Sequence, residues 1–120
     1  MMMTALLLSI GTGAQADDPA LWQLRVLDGA DYTAAAILQL HPDGRLSGRA
    51  PCNSFASMVT IEGIRFRIGP IRATRMACPD LREEQAFFSA LAEMTTIQTD
   101  GDTLSLSNAK ERYMVFTPAD

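Results

Sequence analysis

Along most of the chain, apolar and polar positions alternate with a period of two. Turn residues interrupt the alternation roughly every 8–12 positions, the rhythm of antiparallel β-structure. The segment LWQLRVL sets Trp22, Leu24 and Val26 against Gln23 and Arg25, which predicts a half-buried strand. AAAILQL, HPDG and RLSGRA read as a hairpin: Pro42 fixes its own φ, Asp43 caps locally, and Gly44 tolerates φ > 0. SMVTI and IRFRIG predict a second hairpin around Glu62-Gly63, closed by Gly69-Pro70. Its Ile64, Phe66 and Ile68 share one face, and Arg65 and Arg67 the other.

One segment breaks this period. PDLREEQAFFSALAEM opens with Pro79 and Asp80, and Glu83 follows three positions after Asp80, the pattern of a capping box with Asp in the Ser/Thr position. Leu81, Phe88 and Leu91, with Phe87 and Met94 beside them, recur at helical spacing and leave Arg82, Glu83 and Glu93 for water. The spacing predicts one helix over about 80–93. TTIQT, DGD and TLSLS then return to the period of two with Leu104 and Leu106 inward, and NAKE turns into RYMVF. The expected class is mostly β (α+β by content). Closing an antiparallel sheet of about seven to eight strands into a barrel-like form removes its free edges, with the single helix at one opening.

Composition narrows the picture. A length of 120 residues bounds the chain to one domain, and 48% hydrophobic with 20% charged residues is a globular balance. A net charge of −4 lacks the basic footprint that general nucleic-acid binding needs. The opening MMMTALLLSIGTGAQADDP has an apolar run from Ala5 to Ile10, then the small-x-small triplet Ala14-Gln15-Ala16. This predicts a signal peptide over 1–16 and a mature domain over 17–120. No Lys or Arg precedes the run, a feature that a start codon further upstream would supply. The run falls short of the about 20 residues of a transmembrane helix, so no span is expected in the mature protein.

Cys52 and Cys78 are the two cysteines, 26 positions apart. An even count in an exported chain makes a disulfide the leading reading, with a loop of that length stabilising by about 3.5 kcal/mol. Two buried free thiols are the alternative. A redox pair is disfavoured, because there is no C-x-x-C and the spacing does nothing to lower a thiol pKa.

GRLSGRAPCNSF, IEGIRFRIGPIRATRMAC, EEQAFFSALAEM and DGDTLSLS, in that order, resemble the META domain family, the group that contains the heat-shock protein HslJ. The family's Cys-Asn pair falls on Cys52-Asn53, its Thr-Arg-x-x-Cys segment on Thr74-Arg75-Met76-Ala77-Cys78, and its Glu-bearing helix on Glu84 with Phe87, Phe88 and Leu91. Leu104 and Leu106 match its terminal hairpin, and Trp22-Gln23-Leu24 matches its opening strand. The resemblance covers Leu21 to Phe116. It implies a compact, mostly β, barrel-like fold with one helix and a bacterial envelope or periplasmic setting. Some members are linked to heat shock, antibiotic resistance or virulence. It implies no catalytic chemistry.

Single residues read mostly as structural. Asn53 after Cys52 suits a turn in which its amide bonds nearby backbone. Thr74 and Arg75 could hold an anion near the helix N-terminus, but the favoured reading has Arg75 bracing a loop. Arg65, Arg67, Arg72, Arg75 and Arg82 concentrate positive charge within eighteen residues, a candidate patch for an anionic partner set against the plain reading of a solvated face. His41 reads as solvent-facing, the Asp100 to Asp102 stretch as a turn rather than a calcium loop, and adjacent Glu83 and Glu84 as a poor acid/base pair. With no nucleophile–base pair, phosphate loop or metal set, the sequence predicts no catalytic residue, metal or cofactor, and no enzyme.

The expected function is therefore a non-enzymatic META/HslJ-like envelope protein that supports stress tolerance by binding or stabilising another component. Two alternatives stay open: a small-ligand carrier in the barrel interior, and a proteinaceous inhibitor of an envelope-attacking enzyme such as a lysozyme. The expected partner is an envelope protein or an anionic envelope component, met by a monomer.

Overall fold

The computed structural model describes residues 20–119, so the signal peptide expected over 1–16 lies outside the described residues. Among these residues, ten strands and one helix follow in the order β1 (Leu21–Leu27), β2 (Ala30–Asp31), β3 (Ile37–Leu40), β4 (Arg45–Arg49), β5 (Ser54–Glu62), β6 (Arg65–Ile68), β7 (Arg72–Ala73), α1 (Leu81–Ala92), β8 (Thr96–Asp100), β9 (Thr103–Ser107) and β10 (Tyr113–Pro118).

Eight strands close a barrel in the order β1-β3-β4-β5-β6-β8-β9-β10, and β10 pairs back onto β1; β2 and β7 are short additions on β1 and β5. All pairings are antiparallel. Closure leaves few unpaired strand edges to manage. The tightest turns sit where sequence allows positive φ, as at Gly44 (φ 93°) between β3 and β4. The weakest seam joins β6 to β8 through the single register pair Arg65 with Thr96.

Alternate positions fill the interior with Leu24, Leu38, Leu46, Phe55, Phe66 and Phe116, all essentially inaccessible. Each such side chain contributes about 1.5–3 kcal/mol of burial. Gly48 lets this filling work. A Cβ there would collide with the Ile37 carbonyl oxygen and stand 2.9 Å from a ring carbon of Phe55, which occupies the space instead. The helix closes one end of the barrel, with Phe87, Ala90 and Leu91 buried in the core.

Four local expectations shift. A β-bulge between Leu24 and Val26 takes Arg25 out of register, so Val26 is half-buried and Leu27 packs on the core. Strand β5 begins at Ser54, three residues before the segment that its alternation suggests. Glu62 pairs with Arg65, so Ile64 stands in the turn, 59% exposed, while Phe66 alone of its predicted face is fully buried. Asp80 occupies the N-cap position but makes no side-chain cap bond, so the capping box does not form.

Candidate functional site

The most organised polar site lies where the turn after β4 meets the helix. The Ala50 N–H donates to the Asn53 carbonyl at 2.7 Å, closing that turn. The Cys52 and Asn53 N–H groups then both donate to Glu84 Oε1, each at 2.8 Å. Asn53 Nδ2 donates to Glu84 Oε2 at 2.6 Å and to the Met76 carbonyl at 3.0 Å. Asn53 Oδ1 accepts from Thr74 Oγ1 at 2.8 Å and from Met76 N at 2.6 Å. Both donors and both acceptor directions of one amide are in use.

Glu84 and Asn53 are buried, at 3% and 5% exposure. Burying a carboxylate costs several kcal/mol unless donors replace its water, and here three N–H groups do so. Next to them Cys52 and Cys78 form a disulfide with Cα atoms 5.6 Å apart. Three pieces of chain are thus joined: the turn at 50–53, the strand-like segment at 74–78, and the first turns of α1.

The helix is also held further along. Tyr32 Oη donates to the Glu83 carbonyl at 2.8 Å, and its ring tilts against Phe87 at 6.5 Å. Burial, reinforced by the negative charges of Glu83, Glu84 and Asp80, pushes the Tyr32 hydroxyl well above the usual phenol range. Phe55 meets Phe87 and Phe88 edge-on, both at 5.4 Å. At the C-terminal end, Asn108 Nδ2 donates to the Glu93 carbonyl at 3.1 Å, and Arg112 reaches the Glu93 carboxylate at 3.6 Å. Arg112 also donates twice to Asp28 Oδ2, at 3.0 and 2.9 Å, while Tyr113 N donates to Asp28 Oδ1 at 3.0 Å. Burial raises the Asp28 pKa, but the Arg112 hydrogen bonds, the Tyr113 N–H and the guanidinium charge outweigh it and leave it lowered.

A second feature is the outer wall of β4, β5, β6 and β7. Cross-strand register sets Arg45 opposite Met58, Arg49 opposite Ser54, Arg67 opposite Thr60, Arg65 opposite Glu62 and Arg72 opposite Ala56, all on the outward face. Met58 is 56% exposed, and a groove of about 220 Å³ runs over it between Arg45 and Arg72. A third feature is the rim opposite the helix, where Leu40, Ile61, Ile64 and Ile97 line an open groove of about 480 Å³.

The residues singled out by sequence separate accordingly. Cys52, Asn53, Thr74 and Cys78 converge on the Glu84 clamp, whereas Trp22 lies half-buried on β1 and packs on the core. Arg75 is exposed and forms no hydrogen bond or ion pair with the described residues, so the expected brace is not made. Arg65, Arg67 and Arg72 share the outer wall, and Arg75 and Arg82 stand apart from them near the start of the helix. His41 is half-buried, with Nε2 2.9 Å from Ser47 Oγ, rather than free in solvent. Sequence reasoning placed Glu84 on the helix but missed its role. The available signal was its position on the Leu81, Phe88 and Leu91 stripe, where a carboxylate is out of place. Arg45 and Arg49 were likewise missed as members of the wall. No helix among the described residues is long and apolar enough to cross a membrane.

A family model described as META domain matches residues 18–120. The chain belongs to the META domain family. No curated protein matches it significantly. The fold of this META domain is similar to an NMR structure of a protein from Burkholderia xenovorans, with 21% identity and a TM-score of 0.66 over 99% of this chain and 94% of the other. A second NMR structure is 20% identical, with a TM-score of 0.66 over 84% of this chain and 90% of that one. A crystal structure of a DUF4847 family protein from Bacteroides vulgatus is 19% identical, with a TM-score of 0.55, covering 68% and 57% of the two chains. In this META domain the Cys-Asn pair, the Thr-Arg-x-x-Cys segment and the helix Glu meet at one buried network.

Proposed function

We propose that this META domain is an exported, non-enzymatic binding module of the bacterial cell envelope, which supports stress tolerance by holding or stabilising another envelope component. One observation carries the reading: the buried Glu84–Asn53 pair directs its polar atoms to the chain itself, to the amides of Cys52, Asn53 and Met76, the Met76 carbonyl and the Thr74 hydroxyl. Such a pair holds a fold together, with its side-chain polar atoms committed to the chain itself. What faces solvent instead is a wall of guanidinium groups and an apolar rim, the surfaces of a module that binds. The disulfide fits a protein that works in an oxidising compartment. Because Phe55, Phe66, Phe87 and Phe116 occupy the interior, a carrier would have to use an open surface groove, such as the one at the rim.

The test is genetic and biochemical together. Cells lacking the gene are expected to lose viability after heat or detergent challenge, and a plasmid copy is expected to restore it, with the protein released by osmotic shock. Unchanged survival of the deletion strain, or retention of the protein in the cytoplasm, would contradict the reading.

A further inference from the structure

Charge on this molecule is segregated. The outer wall gathers Arg45, Arg49, Arg65, Arg67 and Arg72, with Glu62 and Asp43 as the carboxylates beside them. The wall therefore carries +3, and since the described residues together carry −1, the rest of them carry −4. A protein that is acidic as a whole but basic on one face is oriented by an anionic surface, basic face inward.

The same wall has an apolar centre. Met58 stands exposed between Arg45 on β4 and Arg72 on β7, with Ala56 and Ser47 completing the groove. Small side chains at Ala56 and Ser47 leave the two guanidinium groups uncrowded. Arg45 is held locally by Asp43, whose carboxylate its Nε reaches at 3.1 Å, so its remaining donors stay directed to solvent. A guanidinium fork matches a phosphate oxygen pair, while a thioether side chain tolerates the edge of an acyl chain.

We propose that this wall docks the protein onto an anionic lipid bilayer, with phosphate headgroups seated between Arg45 and Arg72 and Met58 dipping into the acyl boundary. The inference rests on the envelope reading above and names the component that the module meets. Charge complementarity decides for a bilayer: an extended anionic plane engages Arg49, Arg65 and Arg67 together with the groove, whereas a single soluble phosphate reaches only the groove. The Arg wall thus acts as a peripheral anchor of moderate strength, weakened by salt.

The test is flotation of the oxidised protein with vesicles of phosphatidylglycerol and phosphatidylcholine, against vesicles of phosphatidylcholine alone. Binding is expected only to the anionic vesicles and is expected to fall as salt rises. Arg45→Ser/Arg72→Ser is expected to weaken it roughly 25-fold, the effect of about two surface charges. Met58→Ser weakens it less, and Arg82→Ser on the helix leaves it unchanged. Arg65→Ser/Arg67→Ser gives an independent pair on the same wall, and an unchanged melting temperature certifies the fold of each variant. Absence of binding by the parent protein overturns the proposal, as does full binding by both paired variants or an equal loss in Arg82→Ser. Inorganic phosphate at millimolar level is expected not to compete; complete competition would assign the groove to a soluble anion and overturn the bilayer. Failure here leaves the export and survival tests untouched, so the two readings fail separately.

Discussion

At the scale of single residues, the clamp is a matter of donors matched to acceptors. Glu84→Gln keeps the shape but turns an NH₂ group toward N–H donors of Asn53 or Cys52, leaving buried donors unpaired. A loss of about 1–3 kcal/mol is expected in urea unfolding, and a variant as stable as the parent would show the clamp to be incidental. Asp28 tests charge separately. Its φ of 52° is one that Asn tolerates, so Asp28→Asn removes the charge with little backbone strain. Because the folded pKa lies below 3.8, the stabilisation from ionised Asp28 is complete above that pH and disappears as pH falls through the lowered folded value. Parent and variant should therefore differ in urea midpoint at about pH 7 and converge at about pH 2. Partial exposure of the pair keeps the difference small.

At the scale of elements, much was legible and the exceptions have physical causes. The helix was readable because Leu81, Phe87, Phe88 and Leu91 repeat at its period, and it spans 81–92 against the 80–93 expected. The hairpin at 37–49 was readable from Pro42, Asp43 and Gly44. The bulge at Arg25 was not, because its cause is tertiary: it lets β1 change face while pairing with both β3 and β10. Ile64 misled because an apolar residue in a turn is indistinguishable from one at a strand end until the register is known. The buried role of Glu84 depended on donors from residues more than thirty positions away, which no local pattern contains. The disulfide pairing, by contrast, followed from having two cysteines in a chain read as exported. Gly48 offers an element-level prediction: Gly48→Ala drives a methyl group into the β3 backbone, at an expected cost of about 1–3 kcal/mol or more in thermal or urea unfolding. A neutral outcome would contradict the close approach of β3 to β4 at Gly48.

At the scale of the whole molecule, a closed barrel carries a helix fastened along its length. The edge-on contacts of Phe55 with Phe87 and Phe88, together with buried Leu91, supply apolar adhesion between helix and barrel. The Glu84 network fixes where the helix sits, and the disulfide restricts the unfolded chain. Reduction should add about 2 Da to the intact mass and lower stability by about 3.5 kcal/mol while the barrel stays folded. A reduced protein that loses its β-sheet circular dichroism at room temperature would mean that the core alone does not hold.

Hydrogen exchange at two amides reads out the helix anchor. The Cys52 and Asn53 N–H groups lie in a turn, and Glu84 Oε1 is the acceptor that protects them. If that carboxylate anchors the helix to the barrel, both amides exchange as slowly as the central strand amides of β5, and Glu84→Gln speeds them markedly. If in the parent protein they exchange as fast as the exposed amide of Gly63, Glu84 does not anchor the helix to the barrel.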